Sequence, residues 1–143
     1  MTASLERAKT RLKETACTCV LRQGEQEFTD TRRGIAPLLD FLDGGMDMTG
    51  FCAADRVVGK AAAFLYVRLG VVAVYAPVMS RPAYDTLTAF GIAATYDTLT
   101  DSIINRAGDG GCPMEQAVWD ITDPIEAEQA LRRRLAELID HKM

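Results

Sequence analysis

Residues 49–78 read TGFCAADRVVGKAAAFLYVRLGVVAVYAPV, and their pattern decides the fold. Residues 49–54 form a short apolar run of strand length. Residues 56–69 place apolar side chains at helical spacing and stop at Gly70, and residues 71–78 are a second, valine-rich apolar run. Strand, helix and strand in that order make a crossover unit, which joins parallel neighbours in one sheet. The alternation continues through an expected helix at residues 81–90, closed by Gly91, and an expected strand at residues 92–96.

Toward the N-terminus the pattern changes. Residues 4–16 carry Leu5, Ala8 and Leu12 on one helical face, with Ser4 as a cap. Residues 17–22 and 25–30 flank Gln23-Gly24, the signature of a β-hairpin. Residues 34–42 space Ile35, Leu38, Leu39 and Leu42 as a helix ending at Gly44-Gly45. Toward the C-terminus a polar loop, residues 101–111, leads to a short helix at residues 113–119. Asp123-Pro124 opens a last helix reaching about residue 139, beyond which residues 140–143 are expected to fray. Trp119, Phe51, Phe64 and Phe90 all fall in apolar periodic segments and read as core.

A length of 143 residues suits one domain, residues 1–143, and a composition of 48% hydrophobic and 25% charged residues implies a packed core. A formal charge of −4 repels phosphate backbones, and the dense basic runs Arg32-Arg33 and Arg132-Arg133-Arg134 lie among acids, which argues against nucleic-acid binding. Residues 2–14 lack the apolar centre of a secretory signal. The most apolar region, residues 57–79, is interrupted by Lys60, Arg68, Gly70 and Pro77, so no membrane span is expected. Cys17, Cys19, Cys52 and Cys112 then read as reduced thiols of a cytoplasmic protein. Homo-oligomerisation is left open.

Chemistry concentrates at two places. Asp55 is expected at the carboxyl end of a strand, where ligands of open α/β sheets bind, with Lys60 about one helical turn on; the same pair reads equally as a helix cap and a solvated lysine. The second place is the loop Asn105-Arg106-Ala107-Gly108-Asp109-Gly110-Gly111 ahead of Cys112-Pro113-Met114-Glu115. Asn105 and Arg106 offer hydrogen-bond donors, and the glycine backbone could cradle an anion. Pro113 suits a first helical position, which makes Cys112 the N-cap, near the positive helix end that favours a thiolate. Glu115, three residues on, sits where a capping-box acid would, and its carboxylate opposes thiol ionisation. Arg33 precedes a helix and could add charge to the same pocket. The loop lacks the ending of a nucleotide P-loop and the glycine spacing of a dinucleotide fingerprint, so no cofactor is implied.

The hairpin, Arg32-Arg33-Gly34-Ile35 with Pro37-Leu38-Leu39, residues 54–62, Val74-Tyr75-Ala76, Ile104-Asn105-Arg106 and Cys112-Pro113-Met114-Glu115 together resemble a prokaryotic family known as domain of unknown function 1893. The resemblance spans nearly the whole chain. It implies a three-layer α-β-α sandwich with a mixed sheet, like that of cytidine deaminases, and no established activity. True deaminases hold zinc through a His or Cys beside a catalytic Glu and a Pro-Cys-x-x-Cys pair. This chain carries neither motif, so no metal site is expected. The expected function is a zinc-free, deaminase-like protein that binds a nucleotide or other small anionic metabolite, with Asp55, Lys60, Asn105, Arg106, Glu115 and Arg33 around one pocket. The alternatives are an enzyme using Cys112 as nucleophile and an interaction or oligomer scaffold with a vestigial pocket.

Overall fold

A computed structural model describes residues 2–103 and 112–142. Among these residues the chain forms an α/β structure of six helices and a mixed, open sheet of six strands. A helix α1 (Thr2–Glu14) precedes the hairpin of β1 (Cys19–Gln23) and β2 (Gln26–Asp30), whose turn contains Gly24 at φ 60°. Next come α2 (Ala36–Asp43), β3 (Cys52–Asp55), β4 (Val57–Val58) and α3 (Lys60–Leu69). The chain continues through β5 (Ala73–Ser80), α4 (Arg81–Ala89) and β6 (Ala93–Thr100), then α5 (Pro113–Val118) and α6 (Pro124–Lys142).

β1 pairs antiparallel with β2 and β3, whereas β3, β4 and β6 all pair parallel with β5. β3 and β4 follow one another along the same edge of β5, separated only by Arg56. The two faces bury different clusters. Ala8 and Leu12 of α1 pack on Val20, Ala54 and Tyr75, while Leu21, Ala53, Val74 and Ala76 face the larger core beneath α2, α3, α4 and α6. Strand alternation explains this division, because neighbouring side chains leave a sheet on opposite faces.

The break at Arg56 redirects two side chains. Its backbone still bridges the sheet, donating to the Thr18 carbonyl at 3.1 Å and accepting from Val78 at 3.4 Å. Its guanidinium binds the carbonyls of Leu12, Thr15 and Cys17 at 2.9, 2.7 and 2.8 Å, which ties down the end of α1. Asp55 projects on the other face, toward α3.

Several boundaries differ from those expected. α3 begins at Lys60 rather than residue 56, because Val57-Val58 resumes strand pairing and Gly59 alone makes the turn into the helix. β6 runs on to Thr100, with its last pairs to β5 joining Thr98 to Val78, Leu99 to Met79 and Thr100 to Ser80. α6 extends past residue 139 to Lys142. Phe51 and Phe64 are buried, but Phe90 and Trp119 are 46% and 54% exposed. Those two occupy the C-caps of α4 and α5, where the chain leaves the core-facing helical stripe. No helix among the described residues is long and apolar enough to cross a membrane.

Candidate functional site

The carboxyl ends of β3 and β4 open into a cavity of about 430 Å³. Its apolar wall comes from Ile35 and Leu38 at α2, Val57 of β4, Ala61 and Ala62 of α3, and Met114 of α5. Its polar lining brings together Asp55, Cys19, Arg33, Cys112 and Glu115. Such a size and a mostly apolar wall with few polar groups are typical of small-molecule sites.

Asp55 is the polar group whose environment is most unusual. Burial raises its carboxyl pKa to about 7, against an opposing hydrogen bond from Tyr66. The hydroxyl of Tyr66, itself fully buried, donates to Asp55 Oδ2 at 2.7 Å and fixes the carboxyl orientation. The backbone N–H groups of Val57 and Arg56 also approach it. Across the β1–β3 ladder its partner is Cys19, whose thiol pKa is pushed far up by burial and then by the neighbouring Asp55 and Asp30 carboxylates. Cys19 therefore stays a neutral thiol.

Glu115 has a different task from the one expected. Rather than capping its own helix, it reaches the start of α3. Its Oε1 accepts from the Lys60 backbone N–H and its Oε2 from that of Ala61, each at 2.7 Å. The N-cap residue of α3, Gly59, has no side chain to do this, so Glu115 supplies the missing acceptor. A Cβ on Gly59 would force that carboxylate to shift, so the constraint at this position is contact rather than φ, which is −100°. Burial raises the Glu115 pKa, offset in part by the hydrogen bonds from Ala61 and Lys60. The helix end that would otherwise attract an anion is thus already filled.

Lys60 does not stand with Asp55 in the cavity. Because the strand continues through Val58, Lys60 starts α3 and its ammonium donates to the Trp119 carbonyl at 2.7 Å, at the end of α5. Burial lowers its pKa. Cys112 is the N-cap of α5, as its place before Pro113 implies, but its side chain makes no capping hydrogen bond. Its backbone N–H donates to the Ile103 carbonyl at 3.2 Å, which holds Cys112 and Ile103 together at the cavity wall. Arg134 of α6 steadies this segment through the Pro113 carbonyl at 2.9 Å. Arg33 lies on the cavity rim, exposed, and makes no ion pair among the described residues. Asn105 and Arg106, and the glycines that follow them, lie outside the described residues.

Nothing local in the sequence marks Cys19 or Tyr66 as a residue of the site. The signal for Cys19 is positional, since it pairs with Asp55 once the register is known; Tyr66 lies eleven residues beyond Asp55 and meets it only through the crossover packing of α3 on β3. Among the described residues no group of three or more His, Cys, Asp or Glu side chains is arranged to hold a metal ion.

The family described as Domain of unknown function (DUF1893) matches residues 7–135. Among solved structures the chain is similar to a DUF1893 family protein from Thermotoga maritima. That match has a TM-score of 0.81 and 24% sequence identity, covering 96% of this chain and 91% of that one. No curated protein matches. This chain belongs to the DUF1893 family.

Proposed function

We propose that this DUF1893 protein binds a small molecule in the cavity at the ends of β3 and β4, with Asp55, Cys112 and Arg33 among the groups that contact it. The observation that carries the reading is the convergence of these three side chains on one cavity of about 430 Å³ whose wall is otherwise apolar. Glu115 serves the site indirectly, by holding α5 against the start of α3. The open sheet with helices on both faces supports a single, cytidine deaminase-like domain of three layers as its scaffold.

Among the described residues little positive charge is free to meet an anionic ligand. Lys60 is spent on the Trp119 carbonyl, Arg56 on three carbonyls near the end of α1, and the N–H groups of α3 on Glu115. Arg33 is the cation left for an acidic group among the described residues that line the cavity, and it sits at the rim. A nucleoside-like molecule, with a planar body inside and any acidic group outside, suits this distribution.

The test is a thermal-shift screen of nucleosides, nucleotides and sugar phosphates against the wild type and Val57→Trp. Val57 lines the cavity yet is 46% exposed, so a large side chain there blocks the mouth without overpacking the core. A ligand that stabilises the wild type and not Val57→Trp supports the reading, since binding to the native state alone raises apparent stability. Equal shifts in both proteins, or none in either, contradict it.

A further inference from the structure

We propose that the inner end of the ligand is a planar N–H donor of the amidine or aminoheterocycle class, held by the Asp55 carboxylate; the proposal rests on the ligand-binding reading above. The described groups that line the cavity differ in what they can still offer a ligand. Glu115 has given both oxygens to backbone N–H groups of α3. Cys19 is a buried neutral thiol, a weak donor and weak acceptor. Of the two carboxyl groups among the described residues on the wall, Glu115 is buried against the start of α3 whereas Asp55 is half-buried, so Asp55 is the one within reach of a ligand. A carboxylate offers about four acceptor positions, and Tyr66 with the neighbouring backbone N–H groups does not exhaust them.

The sign of the inner surface follows. Two carboxyl groups line it, and among the described residues the cations beside it are engaged elsewhere or at the rim, so an anionic group placed inside would meet like charge from these residues. An N–H donor meets an oriented acceptor instead, in a site whose apolar wall weakens competition from water. Tyr66 acts as a positioning residue, since its hydroxyl holds the Asp55 carboxyl from behind.

Proton linkage gives a signature that a passive apolar cavity lacks. The titratable and charged groups around Asp55 among the described residues are Tyr66 of α3, which bonds it, Cys19 of β1, which pairs with it, the adjoining Arg56, and Glu115, Cys112 and Arg33, which line the same cavity. With the Asp55 pKa raised to about 7, acidification converts the acceptor into a donor and opposes an N–H ligand.

The probe is benzamidine, compared with benzoate by isothermal titration calorimetry on the full chain. Benzamidine is expected to bind more tightly than benzoate. Its affinity is expected to fall about tenfold from about pH 8 to about pH 6 as Asp55 takes up a proton. Asp55→Asn is expected to weaken benzamidine at least about tenfold, the order expected for a lost charge-assisted hydrogen bond, and to abolish the pH dependence. The pH series on the wild type keeps the test decisive even if the variant folds poorly. Benzoate binding more tightly overturns the donor class while leaving the cavity a binding site. Benzamidine affinity indifferent to pH and to Asp55→Asn overturns the role of Asp55, and no binding of either probe overturns the inference outright.

Discussion

Replacing Gly59 by alanine tests the contact on which the site is built. The added Cβ would lie inside contact distance of Oε1, Cδ and Oε2 of Glu115, although the backbone at φ −100° and ψ −177° is ordinary for any residue. Accommodation requires the carboxylate to withdraw from the Lys60 and Ala61 N–H groups, which it now meets at 2.7 Å. Losing one charge-assisted hydrogen bond costs about 1.5–3 kcal/mol, and overpacking adds about 1 kcal/mol or more, so Gly59→Ala is expected to cost about 3 kcal/mol. Glu115→Ala removes both bonds and is expected to cost a similar amount, about 3 kcal/mol. In the double variant the obstacle is gone. There the glycine replacement should lie within about 0.5 kcal/mol of neutral, the lower entropy of the unfolded chain being offset by the poorer N-cap that alanine makes. Urea unfolding of the four proteins, read from midpoints at a common slope, gives the coupling energy, expected at about 3 kcal/mol. A Gly59→Ala cost that is the same in both backgrounds would refute the reasoning.

Further outcomes follow from the same geometry. The Asp55 carboxyl is raised from 3.8 to about 7 in the folded protein, so the native state holds more protons over that range and stability falls as pH rises through it. The full shift corresponds to about 4 kcal/mol, reduced to about 2 kcal/mol by water in the open cavity; Asp55→Asn should flatten the profile measured by urea unfolding between about pH 4 and about pH 8. An unchanged slope in the variant would assign the titration to another group. Arg56→Ala frees the carbonyls of Leu12, Thr15 and Cys17 and is expected to cost about 2 kcal/mol, with faster hydrogen exchange concentrated in α1. Exchange that accelerates evenly over the chain would contradict that local role. Cys17 and Cys112 are half-buried whereas Cys19 is buried and its thiol pKa is pushed far up, so a thiol reagent should label Cys17 and Cys112 in the native protein and reach Cys19 only on unfolding. Labelling of Cys19 in the native protein at a comparable rate would show that the cavity opens more widely.

Local signals carried much of the fold and much less of the site. Gly24 turns the hairpin at φ 60°, and Gly70 stops α3 at φ 86° with its N–H on the Tyr66 and Val67 carbonyls; both stand out in sequence because few other residues adopt that conformation. Cys112-Pro113 marks the start of α5 for the same kind of local reason. The start of α3 was hidden because Val57-Val58 fits an apolar helical period as readily as a strand, and pairing with Val78 and Met79 decides between them. That shift moved Lys60 away from Asp55. Glu115 illustrates the larger gap, since a capping-box acid and an acid that caps a helix 55 residues earlier look alike in sequence. One clue does exist: α3 opens on Gly59-Lys60 without a Ser, Thr, Asp or Asn to cap it, so its acceptor has to come from elsewhere.

The central claim is that the cavity beside Asp55 is a binding site, and soaking crystals of the protein with a mixed library of small planar fragments tests it most directly. The account predicts that fragments accumulate between Val57, Ile35 and Met114, with N–H donors directed at Asp55. Fragments bound only at other surfaces, with this cavity unoccupied in every soak, would contradict it.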